Sequence, residues 1–133
     1  MPFTTADRLA IHELLSLHGH LSDSGEFDRF GEVFTDDIVY DMTAYDAGHL
    51  TGRDALRDAA LQLGDANPLA HHVTNITVTP ITDDTAAARS KGLAVNLDGT
   101  TASVTYEDTL ARTPTGWRIT RRRVIPRQKP LTP

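Results

Sequence analysis

The order of hydrophobic patterns along the chain constrains its fold more than any other feature. Apolar side chains recur at three- and four-residue steps up to about Asp23, and Thr4 and Asp7 stand at capping-box spacing just before them. The second half instead alternates apolar and polar residues between turn signals such as Asp98-Gly99 and Thr113–Gly116. Helices followed by a run of antiparallel strands predict an α+β protein, with the helices gathered on one face of a curved sheet.

Shorter segments complete the predicted order of three helices interrupted by an early strand. The second helix covers 26–34, and the third runs from a capping-box signal at Thr51 and Asp54 to about residue 63, before Gly64. Strands are predicted over 38–42, 71–79, 101–112 and from Trp117 onward, with a loop or short hairpin over 45–50. Residues 126–133 are predicted to form a loose tail because their prolines cannot join a ladder.

Length and composition narrow the class of protein. The chain has 133 residues, enough for a single domain with one core, and it contains no cysteine, which excludes disulfides and thiolate chemistry. The sequence contains no apolar run long enough for a membrane span, and residues 1–5 lack the features of a signal peptide. We therefore expect a cytoplasmic protein that does not bind membranes.

The charge distribution argues against nucleic-acid binding. The net charge is −5, yet six of the 13 basic residues lie near the C-terminus. They are Arg118, Arg121, Arg122, Arg123, Arg127 and Lys129. On a strand these side chains alternate between the two faces and cannot form one basic stripe, so solvated arginines that pair with neighbouring acids are the favoured interpretation.

Two ionisable residues at the ends of predicted elements provide the main chemical hypothesis. Asp23 follows the first helix in the stretch 22–25, and His71 opens the strand that begins 71–75. A carboxylate that orients an imidazole makes a general acid or base that works near neutral pH. The alternative is structural: Asp23 terminates the helix and His71 lies at the edge of the core.

Three stretches together resemble the SnoaL-like and scytalone dehydratase-like members of the nuclear transport factor 2 superfamily. They are residues 7–37, His71–Asn75 and Gly116–Ile119. The resemblance spans about residues 5–125 and implies one SnoaL-like domain over 1–125. It also implies a cone-shaped fold whose helices and mostly antiparallel sheet enclose a pocket. Fold and chemistry are loosely linked in such scaffolds, so the site must decide the function.

The resemblance also implies a cofactor-free site in which Asp23 and His71 are catalytic. Scytalone dehydratase has a tyrosine where this chain has Ser22 and a second tyrosine where it has Met42, and no histidine follows His72 here. The water held by those tyrosines therefore cannot be assumed in this chain, and scytalone is not the expected substrate.

Several other side chains are candidates for substrate binding, although packing is the alternative role for each. The candidates are His18, Ser22, Met42, Tyr45, His49, Asn75 and Trp117. Tyr40 and Met42 share a strand face opposite Asp41, so only one of these sets faces the pocket. Glu107 and Asp108 place one acid on each sheet face, where an inward carboxylate would be a second candidate base. We expect leucines of the first helix (Leu14, Leu17 or Leu21) to line the pocket.

Two main functions remain open from the sequence. One is a cofactor-independent lyase, isomerase or cyclase acting on a small hydrophobic oxygenated molecule of polyketide, steroid or terpenoid type. The other is a non-catalytic small-molecule-binding or dimerisation module. A metal site built from histidines 12, 18, 20, 71 and 72 ranks last because the helical ones lack i,i+4 spacing. We also expect a homodimer that covers apolar strand residues, namely Val95, Leu97, Val104 and Leu110.

Overall fold

The computed structural model describes residues 1–132 and confirms the α+β class. The two α-helices are α1 (Thr5–Ser24) and α2 (Arg53–Leu63), and short 3-10 helices cover Phe27–Glu32, Thr43–Tyr45 and Gly64–Ala66. The six strands are β1 (Phe34–Asp41), β2 (His49–Thr51), β3 (Ala70–Pro80), β4 (Thr85–Val95), β5 (Thr101–Thr113) and β6 (Gly116–Arg127). No helix within residues 1–132 combines the length and the apolar character needed to cross a membrane.

All six strands form one sheet in the order β2-β1-β6-β5-β4-β3. Neighbouring strands are antiparallel except for β1 and β6, which run parallel. The sheet is curved and does not close, and α1 packs across β3 and β6. The core therefore lies between α1 and the inner face of the sheet, where Ile11, Leu15, Ile38 and Ile119 are fully buried.

The ends of α1 are set by local sequence. Thr4 accepts from the backbone of Asp7 and the Asp7 carboxylate accepts from the backbone of Thr4, so the predicted capping box is confirmed. At the other end Gly25 adopts φ 69°, a left-handed conformation that glycine tolerates best, and the chain leaves the helix there. This sharp end fixes the position of the last helical turn, which contains Asp23.

A polar cluster ties the start of α1 to the last hairpin. The Asp7 carboxylate accepts from Arg112 Nη1 at 2.7 Å and from Trp117 Nε1 at 3.0 Å. The Trp117 ring, 4% exposed, also packs edge-on against Phe3. These bonds lower the pKa of Asp7, the one to Arg112 most of all. Trp117 therefore belongs to the core, and the sequence-based assignment to substrate binding is wrong for this residue.

Local structure departs from the predictions at several points. The helix predicted over 26–34 is a 3-10 helix that ends at Glu32, and Phe34 already opens β1. Gly52, rather than Thr51, caps α2, and no side chain bonds to that helix end. The last strand continues past residue 125, because Pro126 still pairs with Val104. The predicted tail thus begins inside β6, and its final residue lies outside the described part of the chain.

The structure removes one of the apolar residues on which the expectation of a dimer was based. Leu110 is fully buried in the hydrophobic core, so it needs no partner subunit to cover it. The outer face of the sheet is mainly polar, with Thr77, Thr79, Glu107 and Thr109 around one shallow depression. Leu97, in the β4–β5 hairpin, is exposed.

Candidate functional site

Asp23 and His71 contact each other where α1 ends and β3 begins. Asp23 Oδ1 lies 2.7 Å from His71 Nδ1, and both carboxylate oxygens accept from the backbone N–H of His71 at 3.0 Å. The side chains are 25% and 24% exposed, respectively, so the pair is partly shielded but reachable. One carboxylate thus anchors the start of the strand, which is the structural role considered from the sequence, and also orients the imidazole.

The contact depends on a close approach of two regular elements. Gly19 of α1 faces the backbone carbonyl of His71, and a Cβ at this position would come within 2.8 Å of the carbonyl oxygen. One helical turn later, Asp23 reaches the same stretch of β3. The missing side chain at Gly19 therefore allows the helix to lie near enough for the bond between Asp23 and His71.

The hydrogen bond determines which imidazole nitrogen is free. A carboxylate can only accept, so His71 Nδ1 carries a hydrogen and donates it to Asp23. In the neutral ring the lone pair is then on Nε2. An imidazole whose distal nitrogen is free and whose proximal nitrogen is held by a carboxylate is suited to accept a proton from a bound molecule.

His71 lines an open cavity of about 200 Å³. Most of its wall is apolar and comes from the 3-10 helix Phe27–Glu32, from β1 and the residue after it, from β2 and from α2: Phe27, Phe30, Phe34, Met42, Leu50 and Leu63. The polar side chains on the wall are His18, Ser22, Tyr40, Asn67 and His71. A few polar groups set in an apolar concavity are typical of sites for small organic molecules.

Four residues proposed from the sequence lie on this wall: His18, Ser22, Met42 and His71. Tyr40 joins Met42 on the inner face of β1. Asp41 points the other way and accepts from Arg121 at 2.9 Å. The prediction that leucines of the first helix line the pocket is wrong. Leu14 and Leu21 are buried in the core, Leu17 packs against that core, and aromatic side chains line the cavity instead.

Three other candidates lie away from the wall. Tyr45 is 43% exposed in the segment after β1, and His49 Nε2 lies 3.6 Å from the Asp41 carboxylate on the opposite side of β1. Asn75 is exposed and lies in a bulge, where Asn75 and Ile76 of β3 oppose the single residue Ser90 of β4 and Asn75 adopts φ 55°. The bulge breaks the alternation that would have placed Asn75 on the same face as His71.

A buried ion pair lies behind the cavity and was missed from the sequence. Arg122 Nε and Nη2 donate to the two carboxylate oxygens of Asp108 at 2.7 and 2.9 Å, and neither side chain is exposed. The expectation of solvated arginines is therefore wrong for Arg122. Asp108 lies on β5 two residues from each of the buried residues Tyr106 and Leu110, so it faces the same side of the sheet. This spacing was the signal in the sequence that could have predicted the burial of Asp108.

His18 connects that ion pair to the cavity. Arg122 Nη1 lies 3.1 Å from His18 Nδ1, and Ser22 Oγ lies 3.3 Å from His18 Nε2. Burial lowers the pKa of His18 well below its usual range, and the charges of Arg122 and His71 act in the same direction. The imidazole of His18 is therefore neutral in the folded protein.

Tyr40 adds a second hydroxyl to the wall. Burial is the main cause that raises the pKa of Tyr40, so its phenol stays protonated and can donate a hydrogen bond. Within residues 1–132, no three histidine, aspartate or glutamate side chains lie close enough together to hold a metal ion. The arrangement thus offers one free imidazole nitrogen and hydroxyl donors within an apolar enclosure.

Comparison with known proteins identifies the family. The SnoaL-like domain profile matches residues 4–123. The uncharacterized protein Rv2910c of Mycobacterium tuberculosis is 34% identical over 127 residues, which cover 88% of this chain and 83% of the relative. A Novosphingobium aromaticivorans protein, provisionally assigned as an aromatic ring hydroxylase, is 30% identical with a TM-score of 0.79, over 98% of this chain and 93% of that one.

A second structure from the same organism shows how far the fold likeness extends. A protein provisionally assigned as scytalone dehydratase is 20% identical with a TM-score of 0.76, over 92% of this chain and 85% of that one. At this identity the likeness concerns the fold. The profile match and the relatives show that the chain belongs to the SnoaL-like domain family, whose cone-shaped fold of the nuclear transport factor 2 type this structure adopts.

Proposed function

We propose that this protein is a cofactor-independent lyase, isomerase or cyclase in which Asp23 and His71 act as a general acid-base pair. The observation that carries the proposal is the 2.7 Å contact between Asp23 Oδ1 and His71 Nδ1 beside an apolar cavity that His71 lines. This contact leaves His71 Nε2 as the free nitrogen for a bound molecule. Partial shielding from water strengthens the hydrogen bond between His71 and Asp23 and also the contact of His71 Nε2 with the bound molecule.

The proposed step is proton abstraction from a carbon next to a carbonyl. His71 Nε2 takes the proton, the electron pair of the C–H bond forms the enolate, and negative charge develops on the carbonyl oxygen. Asp23 stabilises the imidazolium that results. Return of the proton to another carbon gives isomerisation, and transfer to a leaving hydroxyl gives dehydration. General acid-base assistance of this kind is worth roughly 10²- to 10⁴-fold in rate.

The wall of the cavity supports a small hydrophobic substrate that carries oxygen. Its aromatic and aliphatic side chains favour rings, as found in polyketides, steroids and terpenoids, whereas Ser22, Tyr40 and His71 can contact oxygen atoms. The provisional assignment of a structural neighbour as scytalone dehydratase names an activity of this class and agrees with the proposal. The free energy of binding would come mainly from burial of the rings.

The competing function is a binding module of the same fold. Ser22 and Met42 replace the tyrosines of scytalone dehydratase, a loss that a non-catalytic descendant would also show. Both functions require the cavity, but only the enzyme needs a free imidazole nitrogen beside the bound molecule. Catalysis of a simple proton exchange therefore separates them.

The test uses 2-tetralone, a bicyclic ketone with acidic protons next to its carbonyl, in deuterated buffer. We expect the protein to accelerate exchange of these protons for deuterium, with saturation at high ketone concentration, as followed by proton NMR. Tetralin, the hydrocarbon of the same shape, serves as a competing ligand that should inhibit. Binding of 2-tetralone with exchange no faster than in buffer would favour the binding module.

The homodimer remains a prediction. Leu97 and Leu93 are exposed and lie near one end of β4, which leaves apolar surface for a second copy. Static light scattering should give twice the chain mass of 14.5 kDa at micromolar concentration. A monomer mass there would contradict the prediction without affecting the proposed chemistry.

A further inference from the structure

A line of hydrogen bonds runs from the buried ion pair to the cavity wall. Asp108 holds Arg122 through two bonds, and Arg122 Nη1 lies 3.1 Å from His18 Nδ1. His18 Nε2 then lies 3.3 Å from Ser22 Oγ. The line starts at a fully buried carboxylate and ends at a hydroxyl that lines the cavity.

The chemistry of arginine fixes the direction of these bonds. A guanidinium has five donor hydrogens and no acceptor, so Arg122 must donate to the His18 ring. Arg122 Nη1 lies 3.1 Å from His18 Nδ1 and 3.4 Å from His18 Nε2, and we take the nearer nitrogen, Nδ1, as the acceptor. A ring nitrogen that accepts carries no hydrogen, and a neutral imidazole then has its hydrogen on Nε2. His18 therefore donates to Ser22 Oγ, and the hydroxyl oxygen accepts. The buried position of His18 keeps the ring neutral, as this direction requires.

This direction leaves the hydrogen of the Ser22 hydroxyl unused. Ser24, two residues later, has acceptors for its hydroxyl hydrogen within the protein, namely the Glu26 carboxylate at 2.6 Å and the backbone carbonyl of His20 at 2.8 Å. Among the described residues, Ser22 makes its one side-chain hydrogen bond to His18. The Ser22 hydroxyl therefore keeps its hydrogen available to donate to a molecule in the cavity.

We propose that Ser22 is a specificity-determining donor to a substrate oxygen, and that Arg122 and His18 are positioning residues that act through it. The proposal deepens the function proposed above and rests on the same cavity. It specifies the substrate class: a ring compound with an acceptor oxygen, such as a ketone, rather than the hydrocarbon of the same shape. The rings of His18 and His71 have centroids 6.4 Å apart, so donor and base serve the same part of the cavity.

The same donor has a role in the reaction. When His71 removes a proton next to a carbonyl, negative charge develops on the carbonyl oxygen. A donor whose orientation is already set by buried groups stabilises that charge without reorganisation. Ser22 would therefore contribute to ketone affinity and, to a greater degree, to the rate of exchange.

The test measures the hydrogen bond directly. 2-Tetralone with a 13C-labelled carbonyl is bound to the protein, and its carbonyl stretching frequency is compared with that in an apolar solvent. The wild type should lower the frequency. Ser22→Ala should return it towards the solvent value and weaken ketone binding by roughly two- to tenfold, with tetralin affinity unchanged. Ser16→Ala, an exposed serine on the same helix, is the matched control.

Two variants of His18 test the positioning role. His18→Gln can accept from Arg122 through its oxygen and donate to Ser22 through its nitrogen, so it should retain most of the frequency shift. His18→Leu removes both bonds and should lose the shift. Where His18→Leu does not fold, as judged by circular dichroism, Ser22→Ala and His18→Gln decide the question.

The outcomes separate this proposal from the proposed function. Binding of neither compound would contradict this inference and the proposed function together. A carbonyl frequency that Ser22→Ala leaves unchanged would overturn the inference alone, as would equal effects on ketone and tetralin affinity. Deuterium exchange that depends on His71 would still support the enzyme in that case. The opposite result, a Ser22-dependent frequency shift without any exchange, would retain the donor and reject the catalytic function.

Discussion

Gly19 faces the backbone carbonyl of His71 so closely that a Cβ at position 19 would lie 2.8 Å from the carbonyl oxygen. Carbon and oxygen atoms that are not bonded do not approach to this distance without strain, so any larger residue must push α1 away from β3. Asp23 lies one turn further along the same helix and would move with it. The geometry of the candidate catalytic pair thus depends on a residue that takes no part in the chemistry.

Gly19→Ala should weaken both stability and exchange activity. Forcing a methyl group into this contact lowers the free energy of unfolding by about 1–3 kcal/mol. This loss exceeds the roughly 0.5–1 kcal/mol by which the higher helix propensity of alanine stabilises the helix. Chemical denaturation measures the first effect and deuterium exchange of 2-tetralone the second. Ser16→Ala on the same helix should change neither. An unaltered exchange rate in Gly19→Ala would show that the close approach is not needed.

Asp23→Asn should preserve the fold but reverse the tautomer of His71. The amide oxygen can still accept from the backbone of His71, whereas the amide nitrogen must donate to Nδ1, which places the ring hydrogen on Nε2. The base is then blocked, and exchange should fall by roughly 10²- to 10⁴-fold. Nitrogen-15 shifts of the imidazole report the tautomer, and the exposed Asp28→Asn is the control. A wild-type tautomer pattern in Asp23→Asn would contradict this account.

His18 should make the free energy of unfolding depend on pH in the weakly acidic range. The pKa of His18 in the folded protein lies well below the ordinary 6.5. As the pH falls, the unfolded chain therefore binds a proton at His18 before the folded protein does. Stability is therefore full above about pH 6.5 and declines as the pH falls below it. Denaturation with urea at about pH 8 and about pH 5 measures the decline. His18→Gln should make it smaller, and equal declines in both proteins would contradict a neutral buried His18.

Neutralising two neighbouring acids on β5 should destabilise the protein to very different degrees. Asp108→Asn removes the charge that faces the fully buried Arg122, and breaking such a pair costs about 3–5 kcal/mol. Glu107, the adjacent residue on the outer face, pairs with Arg123 at 3.4 Å, and both side chains are about half exposed. Glu107→Gln removes this ion pair. Its loss should cost at most about 1 kcal/mol. Similar losses in the two variants would show that the ion pair behind the cavity is not structurally important.

Hydrophobic periodicity is sufficient to predict the α+β architecture and to place Asp23 and His71 at the ends of regular elements, from which we hypothesise that they meet. Both residues stand at the ends of long regular elements, whose boundaries are marked by caps and turns in the local sequence. The helix end at Gly25 and the strand start near residue 70 follow from these signals. Because the elements are rigid, placing their ends also places the two side chains.

Irregular backbone explains what the sequence does not reveal. The bulge around Asn75 and the register shift between Thr109 and Leu110 interrupt the two-residue alternation that predicts which face a side chain occupies. For this reason Asn75 leaves the cavity, while Arg122 enters the core. The lining by aromatic residues depends on how the 3-10 helix at Phe27–Glu32 folds against β1, a tertiary contact that periodicity does not encode.

The rate of deuterium exchange into 2-tetralone by His71→Ala tests the central claim most directly. The proposed mechanism gives the proton to His71 Nε2, so this variant should exchange the ketone no faster than buffer while still binding it. Adding Asp23→Asn to His71→Ala should cause no further loss, because the two residues act as one unit. Exchange by His71→Ala at the wild-type rate would contradict the claim that Asp23 and His71 are the catalytic pair.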